Sequence, residues 1–380
     1  MADAIISILQ VKRMRILILT NSDIGLYKFR RELLEEFARN DFEVYASLPE
    51  GEFTEQIKDL GVNYINTRLN RRGKNPLQEL SVIKDYFRII REVKPDAVLT
   101  YTIKSNVYGG LACRLCHVPY IENITGLGSY FEKENLFQRF IRVLYKSALG
   151  KANKIFFQNQ ANLDYMLKDN IISHDCDYEL IPGSGVNLDF FKFCEYPSDE
   201  IINFVFVGRM MKEKGFDLYL DTAEYIHSQY PNTVFHICGL QEENYEERVN
   251  DLVSKGICTY HYSVDDMRPI YEMIHCIIHP TYYPEGMSNV LLEACACGRP
   301  VITTDRPGCK EIVDDNINGF VVKQKSLDDL KEKVKKFILL DNSKRAEMGK
   351  NARKKVEEQF DRQIVVDRYM EAIRKYGKKS

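Results

Sequence analysis

Tryptophan is absent from this 380-residue chain, and so is a surplus of charge of either sign. Its 53 lysine and arginine residues nearly balance 55 aspartate and glutamate residues, and the formal net charge is -2. This balance excludes the strongly basic composition typical of nucleic-acid binders, so no nucleic-acid partner is predicted. No apolar run approaches the roughly 20 residues that a membrane-spanning helix needs.

The first residues do not predict a secretory signal. In the opening MADAIISILQVKRMRILILT the charges follow the short apolar run, and no small-residue cleavage site comes after them. Ten cysteines without such a signal indicate a reducing compartment, so we predict a cytoplasmic location. Met14 begins a better strand than any residue before it, and we expect residues 1–13 to be a dispensable extension.

Strand and helix patterns alternate along the rest of the chain, which is typical of parallel sheets covered by helices. Apolar strands such as RILILT and DAVLTYT occupy the first half, and the pattern restarts at INFVFVGRM. We therefore predict an α/β fold with two Rossmann-like parallel-sheet domains facing across a cleft. The predicted domains are residues 14–190 and 191–357, and a helix in 358–380 is expected to pack back on the first domain.

A glycine-rich basic turn, GRMMKEKG, follows the first strand of the second half and precedes a helix. Gly208 would leave backbone N–H groups accessible, while Arg209 and Lys214 supply a planar fork and a point charge. This arrangement suits a diphosphate, although an ordinary basic turn has the same composition.

The second candidate is PEGMSNVLLE, in which Pro284 and Gly286 break the chain before a helix that runs to about Cys297. Ser288 or Asn289 would cap this helix, and its first amide groups would attract phosphate. Glu293 is the one acid in an otherwise apolar segment, about 6 Å along the helix from Asn289. We interpret it as buried to receive ribose hydroxyls; an internal salt bridge is the alternative.

Together these motifs resemble the signature of family-4 glycosyltransferases of the GT-B fold, with Glu285 and Glu293 as E-x7-E and Gly208 to Gly215 as G-R-x4-K-G. The resemblance extends from Met14 over nearly the whole chain. YTIKSNVYGG and ITGLGSYF are similar to the bacterial branch that extends lipid-linked oligosaccharides. The resemblance implies a retaining, metal-independent transferase that needs no cofactor. It would move a sugar from a UDP-sugar to an undecaprenyl-diphosphate-linked saccharide, and the bacterial branch implies that this sugar is an N-acetylhexosamine.

The resemblance also implies roles for individual residues. Arg209, Lys214 and Glu285 would be catalytic, the two cations holding the donor diphosphate and Glu285 contacting the donor sugar. Glu293 would bind the ribose. The remaining donor-binding positions would be Gly25, Gly208, Gly286, Met287, Ser288, Asn289 and Val290.

The acceptor side is less clear in the sequence. Lys104, Ser105, Asn106 and Thr125 follow predicted strand ends and are our candidates for acceptor contacts. Basic and apolar residues alternate in LFQRFIRVLYKSALGKANK, and TRLNRRGKNPL is strongly basic. These segments suggest contact with an anionic membrane, at the inner face of the cell membrane, that would bring the enzyme to a polyprenyl-diphosphate acceptor.

Three alternatives stay open at this point. The acceptor could be soluble, the chain could be a UDP-N-acetylhexosamine 2-epimerase of the same fold, or Glu285 could act as a nucleophile as in retaining glycosidases. His279 stands where the family often has an apolar residue, and we interpret it as the end of a strand.

Overall fold

The computed structural model describes residues 13–67, 69, 76–127, 136–198 and 200–378, so all but one residue of the predicted extension lies outside it. These residues form two compact units. The first comprises residues 13–125, 136–181 and 365–378, and the second comprises 126–127, 182–198 and 200–364. Each unit has its own parallel sheet and core, which confirms the predicted fold class.

The first unit is built on seven parallel strands in the order β3-β2-β1-β4-β5-β6-β7. They are β1 (Arg15–Leu19), β2 (Glu43–Leu48), β3 (Asn63–Asn66), β4 (Ala97–Tyr101), β5 (Tyr120–Ile124), β6 (Lys154–Phe157) and β7 (Tyr178–Leu180). Residues 16–19 and 97–99 are fully buried, because helices cover both faces of the sheet.

Six helices connect these strands. They are α1 (Asp23–Arg39), α2 (Thr54–Asp59), α3 (Pro76–Val93), α4 (Ile103–Cys116), α5 (Leu136–Leu149) and α6 (Gln160–Lys168). The side chain of Ser22 caps α1 by accepting from the amide of Gly25 at 3.0 Å. Pro95 follows α3 closely, where the restriction that proline places on the preceding residue ends a helix.

The second unit repeats the pattern with six parallel strands in the order β10-β9-β8-β11-β12-β13. They are β8 (Ile202–Val207), β9 (Thr233–Cys238), β10 (Cys258–Tyr260), β11 (Cys276–His279), β12 (Val301–Thr304) and β13 (Gly319–Val322). The helices are α7 (Phe216–Gln229), α8 (Glu246–Ser254), α9 (Arg268–Met273), α10 (Asn289–Ala296), α11 (Leu327–Ile338) and α12 (Asn342–Gln359).

The last helix, α13 (Arg362–Tyr376), packs on the sheet of the first unit. The hydroxyl of Tyr369 donates to the side-chain oxygen of Asn123 on β5, and its ring meets Phe156 edge-on at 5.0 Å. The guanidinium of Arg30 lies 5.0 Å from the ring of Tyr101 and 5.9 Å from that of Tyr369. Aromatic rings thus stabilise a buried cation between α1, β4 and α13.

In each sheet the strand order reverses beside a central strand, β1 in the first unit and β8 in the second. Ligands of open parallel sheets bind outside the carboxyl ends of the strands at this switch point. The loops after β1, β4, β8 and β11 are therefore the places to look for a site. Among the helices that the structure describes, none is both long and apolar enough to cross a membrane.

Candidate donor-binding site

The predicted helix after Pro284 is α10, whose N-cap is Ser288 in an extended conformation. The Ser288 side chain makes no capping bond; its hydroxyl is buried and has no hydrogen-bond partner among the residues described. Asn289 instead accepts a hydrogen bond from the hydroxyl of Ser184 at 2.9 Å. A buried hydroxyl at a helix N-terminus, where the amides carry partial positive charge, is suited to an anionic oxygen.

The loop after β12 supports this helix start. The amide of Ser288 donates to the carbonyl of Gly308 at 2.8 Å. Gly308 has φ +90°, and a Cβ there would lie 2.5 Å from the carbonyl oxygen of Gly286. Only glycine fits this close approach, so the two loops pack backbone to backbone.

The basic turn after β8 lies beside the same loop. It contains a short 3₁₀ turn, Lys212–Lys214, that ends at Gly215 with φ +74°. A Cβ on Gly215 would lie 2.1 Å from the carbonyl oxygen of Pro280, directly after β11. The glycine thus allows Lys214 to reach the loop that carries Glu285.

Both predicted phosphate-binding cations are paired with carboxylates. Lys214 Nζ contacts Glu285 Oε1, and Arg209 Nη1 contacts Glu242 Oε2. The ring of Tyr283 lies 5.4 Å from the Arg209 guanidinium and 5.3 Å from the Lys214 ammonium. The two cations are therefore oriented from both sides, by carboxylates and by one aromatic ring.

Glu285 is ionised in this setting. Burial raises its pKa, but the charge of Lys214 and the neighbouring His279 outweigh that effect and lower it to about 2. A carboxylate that stays charged at neutral pH can accept hydrogen bonds from sugar hydroxyls but has no proton to donate.

Glu293 lies in the second turn of α10 and is half-buried, whereas the sequence analysis interpreted it as buried. The hydroxyl of Tyr271, a fully buried residue of α9, donates to Glu293 Oε2 at 2.9 Å and lies 3.3 Å from the carbonyl of Val290. This contact fixes the direction of the carboxylate. Its donor is a phenol.

Three residues of this site were missed by the sequence analysis: Glu242, Tyr271 and Tyr283. Tyr283 stands two residues before Glu285 and could have been identified as an aromatic next to the motif. Glu242 lies in the loop after β9 and Tyr271 lies on α9, and no local sequence pattern identifies either residue.

His279 is the last residue of β11, as expected, and it also faces the site. Ligand atoms of His279, Glu285 and Cys309 lie within 4.8 Å of one another, a geometry that a metal ion could use. The ammonium of Lys214 already pairs with the carboxylate of this group, and it would repel a divalent cation. The group is therefore best described as an ion pair flanked by an imidazole and a thiol.

In the first unit, Gly25 lies in the first turn of α1, with its amide bonded to Ser22. Among the acceptor candidates, Ser105 is fully buried with its hydroxyl 3.3 Å from Tyr86 on α3, and Asn106 donates to the carbonyl of Asn123 at 2.9 Å. These two side chains hold α4 against its neighbours. Lys104 and Thr125 are half-buried near the carboxyl ends of β4 and β5.

The predicted basic and apolar helix is α5, and some of its side chains pack or pair within the first unit. Arg142 Nη1 lies 3.4 Å from a carboxylate oxygen of Asp169, and Tyr145 is buried. Arg139, Val143 and Lys146 form an exposed stripe. The basic segment with Arg68, Arg71, Arg72 and Lys74, and the glycine-containing residues 128–131, lie outside the described residues.

Comparison with known families matches the two units separately. Residues 15–159 match the family described as glycosyl transferase 4-like, and residues 192–355 match glycosyl transferases group 1. The second match contains the whole region from Gly208 to Glu293.

Curated relatives cover most of the chain. An N,N'-diacetylbacillosaminyl-diphospho-undecaprenol alpha-1,3-N-acetylgalactosaminyltransferase of Campylobacter jejuni is 26% identical over 94% of this chain and 97% of its own length. The capsular polysaccharide biosynthesis glycosyltransferase CapM of Staphylococcus aureus is 28% identical over 77% of this chain and 80% of its own.

Solved structures share the fold. A glycosyltransferase from Rickettsia africae superimposes with a TM-score of 0.80 at 18% identity, covering 97% of this chain and 100% of its own. Alr3699/HepE of Anabaena, solved in complex with UDP-glucose, gives a TM-score of 0.78 at 18% identity, covering 96% and 100%.

Proposed function

The chain belongs to the glycosyltransferases, with a family-4-like domain before a group 1 domain, and from this premise we propose a retaining, metal-independent hexosyltransferase that uses a UDP-sugar. The acceptor is an undecaprenyl-diphosphate-linked saccharide in the assembly of bacterial surface glycans or glycoprotein glycans. The transferred sugar is an N-acetylhexosamine. No cofactor takes part, and the UDP-sugar is a co-substrate.

The observation that carries this proposal is the set of groups around the N-terminus of α10. Arg209 and Lys214 supply positive charge. The buried hydroxyl of Ser288 lies at the N-terminus of α10, beside the first backbone amides of that helix. Glu293 follows on the same helix, oriented by Tyr271. Two cations, a helix N-terminus and an oriented carboxylate are suited to a diphosphate and the ribose attached to it.

The proposed reaction proceeds on one face of the donor sugar. The bond between the anomeric carbon and the β-phosphate oxygen breaks, and the acceptor hydroxyl forms its bond on the same face. The departing β-phosphate oxygen accepts the hydroxyl proton, so UDP leaves and no enzyme base is required. Arg209 and Lys214 stabilise the negative charge that grows on UDP, and this electrostatic effect supplies much of the rate.

Glu285 binds hydroxyl groups of the donor sugar in this scheme. Its low pKa and its contact with Lys214 suit an acceptor of hydrogen bonds that also keeps the cation in position. Gly286 to Val290 close around the sugar and the phosphate through their backbone. Gly208, directly after β8, leaves room for the diphosphate, and Gly25 at the switch point of the first unit stays a candidate donor-binding residue.

The lipid-linked acceptor is proposed from two features. One is the similarity to the diacetylbacillosaminyl-diphospho-undecaprenol N-acetylgalactosaminyltransferase of Campylobacter jejuni. The exposed face of α5 alternates cationic and apolar side chains, which suits peripheral contact with the anionic inner face of the cell membrane. Lys104, Ser105, Asn106 and Thr125 remain the candidates for contact with the acceptor, the two buried ones through their helix rather than their side chains.

The test is UDP release from a panel of UDP-sugars, with and without an undecaprenyl-diphosphate-linked saccharide. Wild type is compared with Glu293→Ala and Lys214→Ala, and with the exposed α11 variants Glu332→Ala and Lys335→Ala as matched controls. We expect acceptor-dependent release that falls at least about a hundredfold in Lys214→Ala, as loss of transition-state charge stabilisation does elsewhere. In Glu293→Ala, release at low UDP-sugar concentration should fall by about 10–100-fold, because the hydrogen bonds to the ribose are lost. The controls should match wild type.

Other results would point elsewhere. Release with a soluble saccharide that lipid does not improve would favour a soluble acceptor. Conversion of one UDP-N-acetylhexosamine into another without acceptor would favour the 2-epimerase. Failure to bind any UDP-sugar would overturn the donor assignment altogether.

A further inference from the structure

The N-terminus of α4 has the same place in the first unit that the N-terminus of α10 has in the second. Around the switch points the strand orders are β2-β1-β4-β5 and β9-β8-β11-β12. The helix α4 connects β4 to β5, and α10 connects β11 to β12. Both helices therefore begin at the carboxyl edge of their sheet, beside the strand where the order reverses, and ligands of open parallel sheets bind there.

The start of α4 also resembles the start of α10 in its unused donors. The N-cap residue is Thr102, whose side chain makes no capping hydrogen bond. The Thr102 hydroxyl is buried and has no hydrogen-bond partner in the part of the chain that the structure describes. The first amides of a helix have no acceptor inside the helix, so they are further donors beside this hydroxyl. Thr102 and Ser288 thus mark the same kind of helix start, one in each unit.

A second observation at this end of α4 points to a ligand. Asn106, one turn into the helix, is 1% exposed, and its amide nitrogen donates to the carbonyl of Asn123 on β5 at 2.9 Å. This bond holds the side chain against the carboxyl edge of the sheet. The amide oxygen has no hydrogen-bond partner among the residues described. A buried acceptor without a donor needs an explanation, and a hydroxyl group of a ligand would supply the donor.

The first turn of α4 is open to solvent and carries positive charge. Thr102, Ile103 and Lys104 are each half-buried, so a ligand can reach this turn. The turn contains no acidic residue, and the charge of Lys104 adds to the partial positive charge of the helix N-terminus. Backbone amides, a hydroxyl and a cation are groups that bind the oxygens of phosphate.

The neighbouring helix indicates where the phosphate comes from. Arg114 of α4 donates to the hydroxyl of Ser147 on α5 at 3.0 Å, so the two helices pack directly against each other. The exposed stripe of α5 is the surface for which we propose membrane contact. A phosphate group that is attached to a membrane lipid is therefore a suitable ligand for the adjacent helix.

We propose that the N-terminus of α4 binds the diphosphate of the lipid-linked acceptor, an inference that rests on the proposed function. The hydroxyl of Thr102 and the first amides of α4 donate to phosphate oxygens, and Lys104 balances part of the negative charge. The side-chain oxygen of Asn106 accepts from a hydroxyl of the sugar attached to the diphosphate, which adds a side-chain contact to the role of its helix. Thr102 is thereby a new acceptor-binding residue.

Calorimetric titration with the full chain tests this site. The probe is geranyl diphosphate, a short and soluble prenyl diphosphate, titrated in saturating UDP so that the donor site is filled. We expect Thr102→Val to bind it about tenfold or more weakly, because this change keeps the shape of the side chain and removes one hydrogen bond to a charged group. Thr102→Ser keeps the hydroxyl and should bind as wild type does.

Two further variants complete the test. Lys104→Gln should bind the probe about three- to tenfold more weakly, because one cation is lost. Thr222→Val is the matched control, since Thr222 on α7 is fully buried and its hydroxyl also has no hydrogen-bond partner among the residues described. It should bind as wild type does. Thermal unfolding shows whether each variant is folded, and Lys104→Gln carries the test if Thr102→Val is not.

Kinetics of transfer give the second readout. Thr102→Val and Lys104→Gln should raise KM for the undecaprenyl-diphosphate-linked saccharide by the same factors and leave KM for the UDP-sugar unchanged. If both variants keep the wild-type affinity and KM, or if Thr102→Val loses no more affinity than Thr222→Val, the proposed function stands and the site at α4 is overturned. A loss of UDP affinity as large as the loss for geranyl diphosphate would also overturn it.

The failure of the proposed function has a different signature. If wild type transfers no sugar to the lipid-linked saccharide but binds geranyl diphosphate in a way that depends on Thr102, the proposed acceptor is wrong and the diphosphate site stands. If wild type neither transfers sugar nor binds the probe, both fall.

Discussion

Glu293 and Tyr271 share one hydrogen bond, which in the proposed function orients the Glu293 carboxylate for the ribose. Glu293→Gln removes the charge and keeps the shape, so we expect UDP to bind about 10–100-fold more weakly, in keeping with about 1.5–3 kcal/mol for a hydrogen bond to a charged group. Tyr271→Phe leaves the carboxylate in place but less oriented, and should cost about tenfold or less. Calorimetric titration with UDP measures both.

The ribose assignment has its own control. With 2'-deoxy-UDP the penalty of Glu293→Gln should shrink, because one of the two hydroxyls is already missing. Tyr219→Phe removes a comparable buried phenol that donates to the carbonyl of His236 at 2.7 Å, and it should leave UDP affinity unchanged. Equal losses for UDP and 2'-deoxy-UDP would contradict ribose recognition through its 2'-hydroxyl.

Glu122 on β5 is a second acid with an unusual environment. It is fully buried, and neither carboxylate oxygen has a hydrogen-bond partner among the described residues. Burial raises its pKa well above the ordinary value. The folded state therefore binds this proton more tightly than the unfolded state, and the stability it contributes is full below about pH 4.5 and is lost as pH rises through the folded pKa.

Glu122→Gln should remove that dependence. The free energy of unfolding of wild type should fall by up to about 1.4 kcal/mol per pH unit between pH 5 and the folded pKa, and the variant should show a flatter profile. At pH 8 we expect the variant to be the more stable protein. Urea unfolding at pH 5 and pH 8 decides this, with the exposed Glu332→Gln as control, and parallel profiles for wild type and variant would refute it.

At the scale of elements, the start of α10 depends on close packing between the loop that contains Gly286 and the loop that contains Gly308. Gly308→Ala should strain the backbone at φ +90° and push against the carbonyl of Gly286. Gly256→Ala is the matched control, since Gly256 has φ +73° and nothing within 4 Å of its would-be Cβ. In both variants the left-handed backbone should lower the free energy of unfolding by about 1–2 kcal/mol. Only Gly308→Ala should also displace the first turn of α10.

We therefore expect both variants to unfold at lower temperature and only Gly308→Ala to lose UDP affinity, by about tenfold or more, since misplacement of about 1 Å is costly at a binding site. Calorimetric melting and UDP titration on the same samples separate the two effects. Equal UDP affinity for the two variants would show that the loops can adjust.

The elements that the sequence analysis predicted are those with a strong local signal. The central strands are continuous apolar runs because both of their faces are buried, and α10 is marked by Pro284 before it and Gly298 after it. The strands β3, β7 and β10 were missed. Each is an edge strand of three or four residues, half-exposed, with no apolar run to identify it.

The contacts between residues of the candidate site were harder to predict from the sequence than the residues themselves. Local patterns made Arg209, Lys214 and Glu293 candidates, and the family resemblance added Glu285. The pairing of Lys214 with Glu285, however, joins residues 71 positions apart. It depends on β8 and β11 being neighbours, which in turn depends on the strand order of the whole sheet. Local pattern carries no information about that order.

At the scale of the whole molecule, the net charge of -2 conceals local surfaces of the opposite sign. Arg139, Val143 and Lys146 are exposed at positions of α5 that share one helical face, and Val143 is 65% exposed. Cations beside an exposed apolar residue suit the surface of an anionic bilayer, where each cation contributes about 1 kcal/mol.

Val143→Asp and Lys146→Gln should each weaken binding of the full chain to vesicles of phosphatidylglycerol and phosphatidylethanolamine, by about three- to tenfold. The aspartate acts by placing a negative charge among the lipid phosphates, and the glutamine by removing one cation. Cosedimentation measures the bound fraction, and phosphatidylcholine vesicles should bind all variants weakly. Leu339→Asp introduces the same charge at a 67% exposed residue of the second unit and should bind as wild type does. If Val143→Asp and Leu339→Asp partition alike, α5 is not the membrane-contacting surface, and acceptor delivery must depend on another part of the chain.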